Sequence, residues 1–256
     1  MGLYVSVVQH VVADGVGHVT LNQPERMNAV TTELARRLEH VLNVLSTDAA
    51  VNVIVIRGAG KNFCAGGDIA EVERLRSAGP EQLRTLFYAF RRACDLITTV
   101  DVPVVAAVEG VTMAGGFELM QAADVVIVSD DAKIADNHIN FGMIPGGGST
   151  QRLPRLVGRQ VALGLLLSGD RLSGPDAVRL GLAYRSFAPQ DFDEGLRHFV
   201  TKLAGRDRTA VTTIKKLVLG ARQRPLAQGL DDEIAAVVAH ITDHGVDEFR
   251  QVGAPS

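Results

Sequence analysis

The fold is decided by the stretch VVAAVEGVTMAGGFE, which occupies residues 104–118. Its first five residues are all apolar, and this pattern is typical of a strand that is buried on both faces. Gly110 ends the apolar run, and a glycine turn at Gly115 comes directly before Phe117 and Glu118. The stretch therefore predicts a buried strand that leads through a glycine turn into a helix.

The same arrangement occurs earlier in the chain. The β-branched run VNVIVI (residues 51–56) leads to a second glycine turn in NFCAGGD (residues 62–68). A further apolar strand is expected at residues 125–128, and helical spacing is found at residues 31–45, behind a hydroxyl cap, and at 81–98. Strands that alternate with helices indicate an α/β fold.

The N-terminal and C-terminal parts of the chain show different sequence patterns. Residues 5–21 predict a hairpin that turns at Asp14 and Gly15. From Gly158 onward helical patterns dominate, and they cover residues 161–167, 191–204, 209–219 and 226–241. Because no long linker separates these parts, we expect one domain with an α/β core at residues 1–195 and a helical region at 196–256.

Composition excludes several classes of partner. The 256 residues include 26 basic and 29 acidic side chains, for a formal net charge of −3. This near-neutral balance argues against nucleic-acid and membrane partners. We see no leader pattern and no apolar run of about 18 residues, so we expect a cytoplasmic, unanchored protein. Cys64 and Cys94 lack the paired spacing of a zinc site, and no metal is expected.

The two glycine turns carry chemistry as well as shape. Glycine lets the backbone approach a ligand closely, and unpaired N–H groups at a helix start suit a carbonyl oxygen that becomes negative during a reaction. The N–H groups of Gly67 and Gly115 could therefore form an oxyanion hole. The alternative is that these glycines only make turns.

Both turns resemble the oxyanion-hole segments of the crotonase family, also called the enoyl-CoA hydratase/isomerase family. LNQPERMNAV (residues 21–30) resembles the early segment of that family, and GMIPGGGSTQRLP (residues 142–154) resembles its glycine-rich segment. The resemblance spans roughly residues 4 to 250. It implies a spiral of β-β-α units followed by helices that assemble homotrimers, often paired into hexamers. It also implies an acyl-CoA substrate, with coenzyme A as part of the substrate and no separate cofactor.

The resemblance assigns roles to individual residues. The thioester carbonyl would lie between the N–H groups of Gly67 and Gly115. Glu118 matches the first of the two catalytic glutamates of the hydratases. Asp68 also reads independently as the N-cap of a helix that begins at Ile69. Contacts with the substrate or its CoA are implied for four residues: Arg26, Ala65, Asp68 and Ile69.

The second catalytic glutamate of the hydratases is replaced. Counting back from Pro145 places His138 at its position. Imidazole, with a reference pKa of ~6.5, can donate or accept a proton near neutral pH, whereas a carboxylate only accepts hydrogen bonds. The alternative is that His138 is a structural hydrogen-bonding residue beside Asp136 and Asn137.

The resemblance therefore implies an enoyl-CoA hydratase that adds water to a 2-enoyl-CoA thioester, with Glu118 and His138 as its acid–base pair. A divergent enzyme is the first alternative. It would shift a double bond with Glu118 alone, or hydrolyse a C–C or thioester bond with water activated by His138. A CoA-binding protein without turnover is the second alternative. The sequence leaves the acyl chain open.

Overall fold

The computed structural model describes residues 6–244, which form two compact units. The first unit ends at Gly205 and the second begins at Arg206. This division lies C-terminal to the boundary drawn at residue 195, which falls inside a helix of the first unit. That both parts form a single domain stays a prediction.

A six-stranded sheet forms the centre of the first unit, with the strand order β1-β2-β3-β4-β6-β8. β1 and β2 form the predicted antiparallel hairpin, and all other neighbours are parallel. Asp14 and Gly15 both have positive φ, which suits the twist of a tight hairpin. Residue 5, where the hairpin was expected to start, lies outside the described residues. The six strands are β1 (Val8–Ala13), β2 (Val16–Leu21), β3 (Val53–Gly58), β4 (Val104–Val108), β6 (Val125–Ser129) and β8 (Arg185–Phe187).

A second layer of short extended segments lies beside this sheet. Strands β5 (Val111–Met113) and β7 (Lys133–Ala135) pair in parallel, and single bridges join Val30 to Gly67 and Cys64 to Thr112. Successive turns of the chain thus place one strand in the large sheet and one extended segment in the small layer before a helix follows. This is the β-β-α spiral that the resemblance implies, and the fold prediction is confirmed.

The first helix starts where its capping residue predicts. Thr31 caps the first helix, and its side chain accepts a hydrogen bond from Leu34 N at 3.0 Å. One expectation is corrected: after β7 and a 3₁₀ helix at His138–Phe141, α-helical structure begins at Ser149 and not at Gly158, which is a kink with φ 80° inside that helix. The helices of the first unit are α1 (Thr32–Thr47), α2 (Ile69–Ala78), α3 (Pro80–Thr99), α4 (Gly115–Ala122), α5 (Ser149–Ser168), α6 (Gly174–Arg179) and α7 (Phe192–Ala204).

The central strands β3 and β4 are buried on both faces of the large sheet, which explains why they are apolar without alternation. Ile54 and Ile56 of β3 face the main core, whereas Val53 and Val55 face a smaller core that includes Phe192 of α7. Burying one such side chain contributes about 1.5–3 kcal/mol. Helix α7 therefore belongs to the first unit because it covers the second face of the sheet.

The described part of the second unit consists of α8 (Arg208–Gly220) and α9 (Leu226–His244). Both helices were predicted. Along α9, apolar side chains recur at helical spacing and are exposed: Leu226, Leu230, Ile234, Val237, Val238 and Ile241. Within residues 6–244, no helix combines the length and apolar character needed to span a bilayer.

Candidate active site

One cavity of the first unit brings together most of the residues that the sequence singled out. Its volume is about 190 Å³, and we call it the glycine-turn cavity because both glycine turns line it. Glu118 reaches it from α4, and His138 from the segment after β7. Six residues with a predicted role belong to its lining: Ala65, Gly67, Ile69, Gly115, Glu118 and His138.

The two glycine turns contact each other, and only glycine fits where they meet. Gly66 has φ +106°, and a Cβ built on it would lie 2.8 Å from Ala114 Cβ and 3.4 Å from Gly115 N. A Cβ built on Gly116 would lie 2.0 Å from Cys64 O. Any larger side chain at these positions would push the turns apart, so the glycines set the close approach of the two backbones.

Neither Gly67 nor Gly115 uses its N–H within residues 6–244. The first turn is held by its neighbours, since Val30 N donates to Gly66 O at 2.7 Å and Asp68 N donates to Val30 O at 3.0 Å. Gly115 is the first residue of α4, where N–H groups have no partner inside the helix. Two unpaired donors thus belong to residues of one cavity, as an oxyanion hole requires.

Ala114 holds a strained backbone conformation directly before Gly115, with φ 47° and ψ −114°. Such conformations cost about 1–3 kcal/mol in residues other than glycine and concentrate at functional sites. Two hydrogen bonds hold Ala114 in place: its N–H donates to Ala135 O, and its carbonyl oxygen accepts from Glu118 N, both at 3.0 Å. The strain is therefore built into the turn that presents Gly115.

Glu118 is buried, and one of its two carboxyl oxygens is committed to the protein. Oε1 accepts hydrogen bonds from Gly147 N at 2.7 Å and from Ser149 N at 3.1 Å. Burial raises the pKa of Glu118, although the two backbone donors and the charge of His138 oppose this effect. Oε2 is left as the oxygen that can take a proton from a ligand.

The glycine run at residues 146–148, which helps to hold Glu118, packs against two aromatic rings of α3. A Cβ on Gly146 would lie 2.5 Å from Phe87 Cε1, and a Cβ on Gly147 would lie 2.3 Å from Phe90 Cε1. Arg152 Nη1 donates to Gly147 O at 2.7 Å. Sequence reasoning did not assign a role to Phe87 or Phe90, although their spacing of one helical turn was a signal that they share a face.

His138 follows β7 and is hydrogen-bonded through one of its ring nitrogens. Its Nδ1 lies 2.6 Å from Asp136 Oδ1, and Asp136 is only 1% exposed. Burial lowers the pKa of His138, but the hydrogen bond with Asp136 and the charges of Asp136 and Glu118 outweigh burial and raise it. His138 is therefore both a hydrogen-bonded residue, as the structural alternative proposed, and a cavity residue.

Arg26 and Asp68 lie outside the described lining of the cavity. They pair with each other at 3.0 Å, and Arg26 is largely exposed. Asp68 Oδ1 accepts from Glu71 N at 2.8 Å, which confirms Asp68 as the N-cap of α2. Contacts of Arg26, Ala65, Asp68 and Ile69 with a substrate stay predictions.

Cys64 precedes the first glycine turn but is not available as a nucleophile. Burial raises the pKa of its thiol to about 12, so the reactive thiolate is scarce near neutral pH. Among the residues that the structure describes, no three His, Cys, Asp or Glu side chains form a group that could hold a metal ion. Within the described lining of the cavity, the ionisable side chains are Glu118 and His138.

Comparison with known proteins agrees with this geometry. The sequence profile of the enoyl-CoA hydratase/isomerase family matches residues 12–251. The chain is 34% identical over 214 residues to the mitochondrial enoyl-CoA hydratase of Pongo abelii, covering 84% of this chain and 72% of that protein. It is 31% identical over 226 residues to the peroxisomal Delta(3,5)-Delta(2,4)-dienoyl-CoA isomerase of Arabidopsis thaliana, covering 84% and 81%. The crystal structure of an enoyl-CoA hydratase from Bacillus anthracis superposes with a TM-score of 0.89 at 28% identity, covering 98% of both chains. The chain belongs to the enoyl-CoA hydratase/isomerase family.

Proposed function

We propose that this protein is an enoyl-CoA hydratase that adds water across the double bond of a 2-enoyl-CoA thioester. One observation carries the proposal: a buried carboxylate, an imidazole and two glycines with unpaired N–H groups line the same cavity. The donors suit the thioester oxygen, and Glu118 and His138 suit the two proton transfers of hydration.

The reaction begins when the thioester oxygen accepts hydrogen bonds from Gly67 N and Gly115 N. Water attacks Cβ as Glu118 Oε2 takes one of its protons, so a C–O bond forms and the electrons of the double bond move toward the thioester oxygen. The resulting enolate is stabilised by the two N–H groups. Cα then receives a proton from His138, and the product is a 3-hydroxyacyl-CoA.

Apolar side chains suit the acyl part of such a substrate. Leu86, Phe87 and Phe90 of α3 line the cavity together with Phe141 and Met143. These side chains exclude water from the forming enolate, and exclusion of water strengthens the hydrogen bonds that stabilise it. The scheme needs no cofactor, because the coenzyme A belongs to the substrate.

An isomerase is the second candidate, and the similarity to a dienoyl-CoA isomerase favours it. Double-bond migration also passes through an enolate held by two N–H groups, and it needs no water. Glu118 alone could carry the proton between two carbons. The two candidates differ in whether His138 contributes to turnover.

Assembly into trimers or hexamers completes the proposal. The exposed apolar side chains of α9 would be covered in such an assembly, because large apolar surfaces of soluble proteins usually mark contacts. We propose a cytoplasmic enzyme whose partner is a small acyl-CoA molecule, with no nucleic-acid or membrane partner.

A panel of acyl-CoA esters tests the reaction. We expect 2-enoyl-CoA esters to gain the mass of one water, as read by mass spectrometry, and Glu118→Gln to slow this gain about 10²-fold or more. A product of unchanged mass but altered chromatographic retention would show isomerisation instead. Release of free CoA would show hydrolysis, and either outcome without a water adduct would overturn the hydratase.

A further inference from the structure

Asp136 is the hydrogen-bond partner of His138 but is not part of the described cavity lining. Its Oδ1 lies 2.6 Å from His138 Nδ1, and its side chain is almost completely buried. Asp136 therefore acts on a ligand in the cavity most directly through His138, although its charge also helps to raise the pKa of Glu118. A catalytic glutamate would line the cavity and carry the negative charge in one side chain. Here His138 lines the cavity, and Asp136 carries the negative charge.

The hydrogen bond decides which ring nitrogen is available to a substrate. An ionised carboxylate only accepts hydrogen bonds, so the atom facing Asp136 Oδ1 must be Nδ1–H. His138 Nε2 is then the nitrogen left for the cavity. Without Asp136, the two neutral tautomers of the ring would compete.

The surroundings of His138 also favour its charged form. Asp136 Oδ2 is buried and has no hydrogen-bond partner within the described residues. A buried carboxylate oxygen without a hydrogen-bond partner destabilises the folded protein unless a positive charge lies close to it. Two acidic side chains act on His138: Asp136, which directly follows β7 in the chain, and Glu118 on α4. Together they outweigh the burial that disfavours an imidazolium.

Resting on the hydratase proposed above, we propose that Asp136 is a positioning residue that holds His138 as an imidazolium with Nε2–H toward the substrate. In this arrangement His138 is the proton donor to Cα and Glu118 is the base for water. The Nε2–H bond breaks as the enolate electron pair forms the Cα–H bond, and His138 becomes neutral. The proton that Glu118 took from water then returns to His138 through solvent.

The first test needs no substrate. His138 is one of seven histidines, and its NMR signal is identified in ¹³C-histidine-labelled protein by its loss in His138→Ala. We expect the wild-type ring to carry hydrogen on Nδ1 and to titrate above the ordinary value of 6.5. Asp136→Asn, which is nearly isosteric, should move the titration down by about 1–3 pH units, the range for loss of an adjacent opposite charge.

Asp131→Asn is the matched control, because Asp131 is an exposed aspartate of the same segment that pairs with Ser129. It should leave the titration of His138 in place. If the His138 titration is the same in wild type and Asp136→Asn, the proposal is overturned. Should Asp136→Asn fail to fold, a wild-type ring that carries its hydrogen on Nε2 when neutral would overturn it as well.

Kinetics supply the second test. Asp136→Asn should lower kcat about 10²-fold, at the low end of general acid–base contributions, with little change in KM. In the His138→Ala background the same substitution should cost little further, because only the weak effect of its charge on Glu118 remains, whereas a purely structural role would cost equally in both backgrounds. A shifted His138 titration in a protein that hydrates no ester would overturn the hydratase and leave the Asp136 assignment standing.

Discussion

At the scale of single residues, Glu118 combines burial with two backbone hydrogen bonds, and these effects act on its pKa in opposite directions. Burial prevails and raises the pKa, which makes Glu118 a stronger base than an exposed carboxylate once it is ionised. His138 shows the opposite balance, since its acidic neighbours prevail over burial. Glu118 thus suits the removal of a proton, and His138 suits the donation of a proton.

Removing either group should slow hydration about 10²-fold or more, the usual contribution of a general acid or base. Glu118→Gln keeps an oxygen for Gly147 N and Ser149 N but cannot take a proton, and His138→Ala removes the donor. Steady-state rates on the best ester measure the effect of each variant. His40→Ala, a substitution of an exposed histidine, is the matched control. If His138→Ala retains most activity, the isomerase is favoured; if neither variant slows turnover, the hydratase mechanism is wrong.

The pH dependence of kcat/KM should be bell-shaped. Glu118 must be ionised, and its raised pKa places the acidic limb above the ordinary carboxyl value of 4.5. His138 must be protonated, and its raised pKa places the alkaline limb above 6.5, so activity is lost as pH rises through that value. A rate that instead keeps rising through neutral pH would mean that neutral imidazole acts as a base.

At the scale of elements, the N-terminus of α4 and the glycine run before α5 converge on Glu118. Helix α4 presents the N–H of Gly115 and carries Glu118 one turn later. The run before α5 supplies the two N–H groups that hold Oε1. The carboxylate is thus held by two elements at once, which fixes its position relative to the N–H of Gly115.

Gly115→Pro should lower kcat/KM by about 10²–10³, the usual cost of one lost oxyanion donor, because proline has no N–H. Proline is tolerated at the first position of a helix, so α4 should still form. Gly115→Ala is the comparison: its Cβ would meet Gly66 and Val30 no closer than 3.5 Å, and it keeps the N–H. Equal losses in both folded variants would argue against an oxyanion role for this N–H.

Gly147→Ala should destabilise the protein by about 1–3 kcal/mol, as overpacking typically does. The added Cβ would lie 2.3 Å from Phe90 Cε1 and 2.7 Å from Glu118 Oε2. Denaturant unfolding measures the effect. Gly164→Ala on α5 is the control, because its Cβ enters open space and alanine favours a helix, so stability should be unchanged or higher. Wild-type stability in Gly147→Ala would contradict the packing described for this loop.

At the scale of the whole molecule, all described lining residues of the glycine-turn cavity belong to the first unit. The described part of the second unit carries a row of exposed apolar side chains along α9. Such a surface is costly in water, and the proposed assembly would cover it. The proposed chemistry and the proposed assembly thus involve different parts of the chain.

Light scattering at micromolar concentration should find a trimer or hexamer. Ile234→Lys places a charge on the exposed apolar row of α9, and it should shift the protein toward smaller species. Gln228→Lys adds the same side chain to an exposed polar position of that helix and should leave the mass unchanged. A wild-type protein that is monomeric throughout this range would contradict the assembly.

The sequence by itself determined the elements and the two glycine turns. Runs of apolar residues and helical spacing are local properties, so they predicted β4, β6 and most helices, and local hydrogen bonds made Thr31 and Asp68 recognisable as caps. The positions of Gly67, Gly115 and Glu118 were also available, because a turn and the helix that follows it lie next to each other in the chain.

Only the tertiary structure decided how these parts meet. Glu118 is held by Gly147 N and Ser149 N, which lie 29 and 31 residues later, and no periodic pattern encodes a hydrogen bond over that distance. The small layer of β5 and β7 was missed for the same reason, since a strand of three residues is stabilised by its neighbours more than by its own sequence. Asp136 lies only two residues from His138, but their pairing depends on burial that the folded core supplies, and burial is what turns two neighbouring polar residues into a functional pair.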